Sequence, residues 1–150
     1  MEKKPFLPHG VDFQLIGSVT AVEAVENTIN VQANYTFRGD ETWRAADHFP
    51  GNPVMPGVMQ LESMAQTMIQ IVEARPDMVE RDVFLAGILD AEFKKRVCPG
   101  TNLTIDAVVS FIDKRKGLAT CKITDQEGDT VATATIQFNS VRRRAERPTV

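Results

Sequence analysis

What this chain lacks removes several functions from consideration. Its 150 residues include only two cysteines, Cys98 and Cys121, with neither a Cys-x-x-Cys spacing nor a histidine cluster beside them. That pattern reads as two reduced thiols in a cytoplasmic protein and gives no disulfide framework. No apolar run approaches the ~18 residues that a membrane-spanning helix needs. The opening MEKKPFLPHG carries a proline and no apolar core, so it does not read as a secretory signal. A formal net charge of −3 gives no general attraction to nucleic acid. No nicotinamide, flavin or phosphate-loop motif occurs, and Asp47-His48 has no third ligand at a spacing that would complete a metal site. Internal repeats and low-complexity segments are also missing. What remains, 43% hydrophobic and 25% charged residues, fits one soluble domain large enough to bury a core.

The patterning is mostly that of strands. In 27–37, NTINVQANYTF, the residues Ile29, Val31, Ala33, Tyr35 and Phe37 alternate onto one face, as a half-buried strand requires. Residues 102–112 repeat the period with Leu103, Ile105, Ala107, Val109 and Phe111. Two more strands are predicted at 117–124 and 130–139, joined by the acidic, glycine-containing turn from Asp125 to Asp129. Another runs from Val83 to about Lys94, and Pro99-Gly100 turns it into the next. Residues 10–24 are ambiguous, because Val11, Phe13 and Leu15 alternate before Gly17 interrupts. The last ten residues, VRRRAERPTV, offer little apolar surface and are predicted to be a frayed tail.

One long helix is predicted, with Pro56 in its first turn and Arg75-Pro76 as its stop. Val58, Leu61, Ala65, Met68 and Val72 form its apolar stripe, widened by Met64, Ile69 and Ile71. The other side carries Gln60, Ser63, Gln66, Thr67 and Gln70, polar yet without charge for ten residues after Glu62. A helix face that meets solvent normally carries charges, so this helix reads as nearly enclosed. One enclosed helix and five or six antiparallel strands give an α+β domain whose curved sheet wraps the helix.

Chemistry concentrates in HFPGNPVMPGVMQLESMAQ, residues 48–66. His48 starts a segment stiffened by Pro50, Pro53 and Pro56, while Gly51 and Gly57 permit close backbone approach. Gly57 falls at the helix start, where its N–H is an unpaired donor at the positive end of the dipole. Glu62 falls on the edge of the apolar stripe, beside Val58 and Ile69, where an ionised carboxylate is costly. Taken singly, Glu62 fits the polar border of an amphipathic helix and His48 an ordinary turn residue. Together, a base, an acid and an oxyanion donor on one rigid element are the parts needed to remove a proton beside a carbonyl.

These residues resemble the active-site segment of the 3-hydroxyacyl-[acyl-carrier-protein] dehydratases, a hotdog-fold family. The likeness rests on His-Phe-Pro-Gly-x-Pro-x-x-Pro-Gly-Val, then Glu62 and Met64-Ala65-Gln66. It extends more weakly to Leu7-Pro8-His9, Ala86-Gly87-Ile88, Phe93 and Val97-Cys98-Pro99-Gly100. The resemblance implies a hotdog fold and dehydration of (3R)-3-hydroxyacyl thioesters, carried on acyl carrier protein, to trans-2-enoyl thioesters. It implies no cofactor and no metal. By the same likeness His48 is the catalytic base and Glu62 its acidic partner. The Gly57 amide holds the thioester oxygen, and the Val54 carbonyl orients the His48 ring. Phe84 stands where a tyrosine often gates the acyl tunnel. A glutamate at position 62 resembles the branch that dehydrates without isomerising. The family builds each site across a dimer interface, with His48 of one chain facing Glu62 of the other. At least a homodimer is therefore implied, often as a trimer of dimers. Departures at Gly17, Asp47, Leu89, Arg96 and Thr101 miss the acid–base pair. They leave room for fatty acid synthesis or for a specialised polyketide, polyene or lipid pathway.

Other residues carry a plainer and a sharper reading. Lys94, Lys95 and Arg96 are either a solvated strand end or a docking patch for the acidic carrier, with Arg142, Arg143 and Arg144 as additions. Met55, Met59, Met64 and Met68 read as adaptable core filler, and Trp43 as packing. Asp47 acts electrostatically on His48 if its side chain turns toward the ring, and not if a strand-like backbone sends it to the opposite face. Two rival functions use the same features. One is a hotdog thioesterase on similar thioesters; the other is a non-catalytic acyl-thioester-binding subunit, which needs neither His48 nor Glu62.

Overall fold

The computed structural model of the chain describes residues 2–144. The strands are β1 (Ser18–Val25), β2 (Thr28–Thr36), β3 (Arg81–Phe93), β4 (Asn102–Phe111), β5 (Lys116–Thr124) and β6 (Thr130–Arg142). They pair antiparallel in one sheet ordered β1-β2-β4-β5-β6-β3. The alternation read in β2 and β4 delivers one buried face: Ile29, Val31, Ala33, Tyr35, Leu103, Ile105, Ala107 and Val109 are all buried. Helix α1 (Gly57–Met68) lies against β2 through β6 on that face, and 3-10 turns at Ile69–Glu73 and Pro76–Glu80 lead from it into β3. One sheet wrapped around one helix is the hotdog arrangement. Irregularities in the β3–β6 register, between Leu85 and Gly87 and between Ile88 and Asp90, add the local bend that wrapping needs.

The polar side of α1 has a structural explanation. Gln60, Ser63, Gln66, Thr67 and, in the following 3-10 turn, Gln70 are buried. Thr67 Oγ1 donates back to Ser63 O of the helix itself at 2.9 Å, Gln60 Nε2 donates to Met55 O at 3.2 Å, and the other three serve the backbone of the segment before β1. Ser63 Oγ donates to Leu15 O at 2.8 Å, and Gln66 binds Phe13 O and the Leu15 N–H at 2.8 and 2.7 Å. Gln70 binds both the N–H and the C=O of Phe6 at 2.8 Å. Uncharged amides suit this place because each offers a donor and an acceptor and pays no charge-burial penalty. Residues 6–15 are thereby stitched along the helix.

Three expectations are corrected. The predicted long helix is α-helical only to Met68 and continues as 3-10 turns. Val58 is 70% exposed although it lies on the predicted stripe. The supposed tail begins too early: Val141 and Arg142 belong to β6, and the Arg143 N–H donates to Glu80 O at 2.9 Å. The rest of that segment, 145–150, lies outside the described residues. In 10–24, Val11–Phe13 is a 3-10 turn with Val11 exposed, so its alternation marked no strand. Among the described residues no helix is long and apolar enough to cross a membrane.

Candidate active site

His48 ends a single 3-10 turn, Ala45–Asp47. That turn is tethered by Glu41, a buried carboxylate that accepts the Gly39 N–H at 2.7 Å, the Arg38 N–H at 3.2 Å and the Tyr35 hydroxyl. Burial, and then the Glu41 hydrogen bond and charge, hold the Tyr35 hydroxyl well above its ordinary range, so it remains a donor. Sequence reasoning missed Glu41; its one signal was a second carboxylate just after Arg38-Gly39-Asp40.

Beyond His48 the chain reverses tightly. Phe49 and Asn52 exchange backbone hydrogen bonds of 3.1 and 2.9 Å, with Gly51 at φ 75° between them. The reversal brings Val54 back, and its N–H donates to His48 O at 2.6 Å. The His48 Nδ1 lies 2.9 Å from Val54 O. A carbonyl only accepts, so Nδ1 carries the hydrogen and Nε2 keeps a free lone pair. The adjacent Phe49 ring stacks on the imidazole with centroids 4.2 Å apart.

Pro56 caps α1, and Gly57 opens it. The Gly57 N–H has no acceptor among the described residues, as a first-turn donor should not. Phe93 of β3 lies flat over this glycine, and a Cβ there would come within 3.0 Å of the ring. Glu62 follows about one and a half turns later. Its side chain is 25% exposed, less enclosed than its place beside the apolar stripe suggested. It opens into a cavity of about 200 Å³ shared with His9, Ala65, Ile69, Val83 and Phe84. A second cavity of about 230 Å³ shares His9, Ile69, Val83 and Phe84 and runs toward Val72 and Met78. Glu62 and Phe84 are thus brought together, whereas His48 lines neither cavity. Glu62 Oε1 lies 3.2 Å from His9 Nε2 and 3.1 Å from Gln66 Nε2, two partners that sequence reasoning had not assigned to it.

The remaining candidates are placed as follows. Asp47 is turned toward Arg44, whose Nε donates to it at 2.7 Å, so of the two directions left open its side chain takes the one toward Arg44. Lys95 is occupied by Asp125, Asp129 and Glu127 at 2.6, 2.9 and 3.1 Å. Lys94 lies 3.7 Å from Glu92, and Arg96 is exposed with no carboxylate partner among the described residues. The acidic trio that Lys95 fills is therefore an ion-pair network at a hairpin turn. Both cysteines are free, and burial pushes the Cys121 thiol up to about 12.

Comparison with known proteins places the chain in a family. The profile of the FabA-like domain family matches residues 7–136. The 3-hydroxyacyl-[acyl-carrier-protein] dehydratase FabZ of Ehrlichia chaffeensis is 39% identical over 133 residues, covering 87% of this chain and 86% of that protein. The bifunctional enzyme LpxC/FabZ of Chlorobaculum tepidum is 38% identical over 110 residues, 69% of this chain but only 22% of that longer protein. Among solved structures, the dehydratase heterocomplex ApeI:P from Xenorhabdus doucetiae superposes with a TM-score of 0.70 at 20% identity, covering 91% of this chain and 89% of that one. That last likeness is one of fold.

Proposed function

The chain belongs to the FabA-like family of 3-hydroxyacyl-[acyl-carrier-protein] dehydratases, and from that premise we propose that it is a lyase removing water from (3R)-3-hydroxyacyl thioesters presented by acyl carrier protein. The observation that carries the reading is the tautomer of His48, locked by Val54 O with Nε2 left free. Nε2 takes the C2 proton of the substrate. The Gly57 N–H, at the positive end of α1, steadies the enolate oxygen as charge develops there. The C3–O bond then breaks as protonated Glu62 delivers its proton to the departing hydroxyl, and the product is the trans-2-enoyl thioester plus water. The cavity beside Glu62, walled by Val83 and Phe84, receives the acyl chain.

Two copies of the chain are needed. His48 does not line the Glu62 cavity, and β3 leaves Phe84, Leu85, Ile88, Leu89 and Phe93 exposed along a sheet edge. Pairing β3 with the same strand of a second copy covers that edge and brings a partner's imidazole to each Glu62. Arg96, with Lys94, is the part of the basic triplet left for the acidic carrier.

The test is turnover of a 3-hydroxyacyl carrier protein by the purified chain. Growth of the conjugated enoyl absorbance supports the reading. Release of free thiol marks a thioesterase, and neither signal marks a binding subunit.

A further inference from the structure

The segment stitched to α1 ends its business at Glu62. Its residue His9 stacks on Phe13 with centroids 6.2 Å apart, and its carbonyl accepts from Gln14 Nε2 at 3.2 Å, so the ring is held in place. The Leu15 N–H occupies Gln66 Oε1 at 2.7 Å and thereby fixes the orientation of that amide. Gln66 Nε2 must then be the atom facing Glu62 Oε1 at 3.1 Å, which makes this oxygen an acceptor. His9 Nε2 approaches the same oxygen at 3.2 Å. His9 Nδ1 is buried with no partner among the described residues, so a hydrogen placed there would be stranded. The hydrogen of this ring therefore sits on Nε2 and points at Glu62.

We propose that His9 is a positioning residue: with Gln66 it holds Glu62 Oε1 by two donated hydrogen bonds, so that the carboxyl's own proton resides on Oε2, the oxygen turned to the substrate hydroxyl. The inference rests on the dehydratase reading above. It makes the two histidines complementary. His48 carries its hydrogen on Nδ1 and works through a bare Nε2; His9 carries its hydrogen on Nε2 and works through that donor. A carboxylic acid free to rotate presents its proton in the right direction for only part of the time, and fixing one oxygen removes that loss.

The experiment compares His9→Leu with His9→Gln in the full chain, using 3-hydroxyacyl carrier protein as substrate. His9→Leu removes the donor and is expected to lower kcat by about 10- to 100-fold with KM within about twofold. In His9→Gln the amide Nε2 reaches the same place, and kcat is expected within about threefold of wild type. Wild-type kcat in the leucine variant overturns the inference, as does an equal loss in both variants. Because the leucine variant also risks the fold, the nitrogen-15 spectrum of the wild-type imidazoles gives a second reading. There are two histidines to assign, and His48→Gln identifies which is which. A protonated Nε2 and bare Nδ1 on His9 support the proposal; the reverse overturns it. A wild-type chain without dehydratase turnover would overturn the function instead, and the tautomer would still decide the His9 contact.

Discussion

β1 and β3 are both edge strands of the same sheet, built to different plans. β1 has eight residues, exposes one large apolar side chain, Val25, and is covered at its start where Lys3 pairs with Val19. β3 has thirteen residues, pairs with β6 on one side only, and leaves five large apolar side chains in the open. A long, apolar, unpaired edge invites aggregation unless something covers it, and β1 shows how this chain blunts an edge that needs no cover. The contrast is what the proposed pairing of two copies through β3 rests on. The largest effect should follow from spoiling that edge. Leu89→Arg places a charge on a side chain already 62% exposed, so the single chain keeps its core. It should halve the mass in solution and cut turnover by about 100-fold or more, since a buried unpaired charge at an interface costs several kcal/mol. Val25→Arg on β1 should change neither mass nor turnover. Sedimentation and the enoyl assay read both; a Leu89→Arg chain that stays dimeric moves the interface elsewhere.

The next test asks whether the β3 edge joins two half-sites. His48→Ala and Glu62→Gln chains are each expected to be inactive. Mixed with subunit exchange, half the dimers become mixed and each of these holds one intact site, so about a quarter of all sites should recover. No recovery, with exchange shown by mass, places both residues in one chain's site.

How much of this was legible beforehand follows from the range of the interactions. Alternation in β2 and β4 was readable because each strand buries one face against one helix, a period the residues themselves carry. The segment from His48 to Gln66 was readable because its prolines and glycines fix local backbone. Val11 and Phe13 stayed ambiguous because three alternating apolar residues suit a 3-10 turn as well as a strand. Gln66 and Gln70 could be seen as strangely uncharged, but their partners lie 51 to 64 residues away, and nothing local names them. Val58 looked like core for the same reason: exposure in one chain depends on what the rest of the sheet covers. Asp47 was open between two directions, and Arg44, held at φ 73°, chose for it.

β3 also reaches the site within its own chain, through Phe93 on Gly57, and this sharpens the contrast with β1. Gly57→Ala keeps the N–H but brings a methyl group within 3.0 Å of the Phe93 ring. The ring is half exposed and can yield, so a loss of only about three- to tenfold in kcat is expected. Phe93→Ala in the same chain should restore part of it, measured as a double-mutant cycle. Additive losses would mean that the methyl group obstructs substrate, with Phe93 a bystander.

The smallest effect lies just past the end of β3, where no partner strand is involved. Lys95 ties that end to the β5–β6 turn through Asp125, Glu127 and Asp129. The Lys95 ammonium first, and then the Asp129 and Glu127 backbone N–H groups, hold the Asp125 carboxyl below the usual carboxylate range. A carboxyl whose folded value is depressed stabilises the fold above its unfolded value, and that contribution fades as pH falls through the folded value. Asp125→Asn should therefore melt slightly below wild type at neutral pH, and the gap should close in acid below the ordinary carboxylate range. Mass in solution should be unchanged, because this anchor holds β3 to its own sheet and leaves its open edge alone. Melting curves collected from neutral pH into acid make the check. A gap that persists unchanged in acid would assign Asp125 a role in turn shape, through its bonds to the Glu127 and Asp129 amides, and none through Lys95.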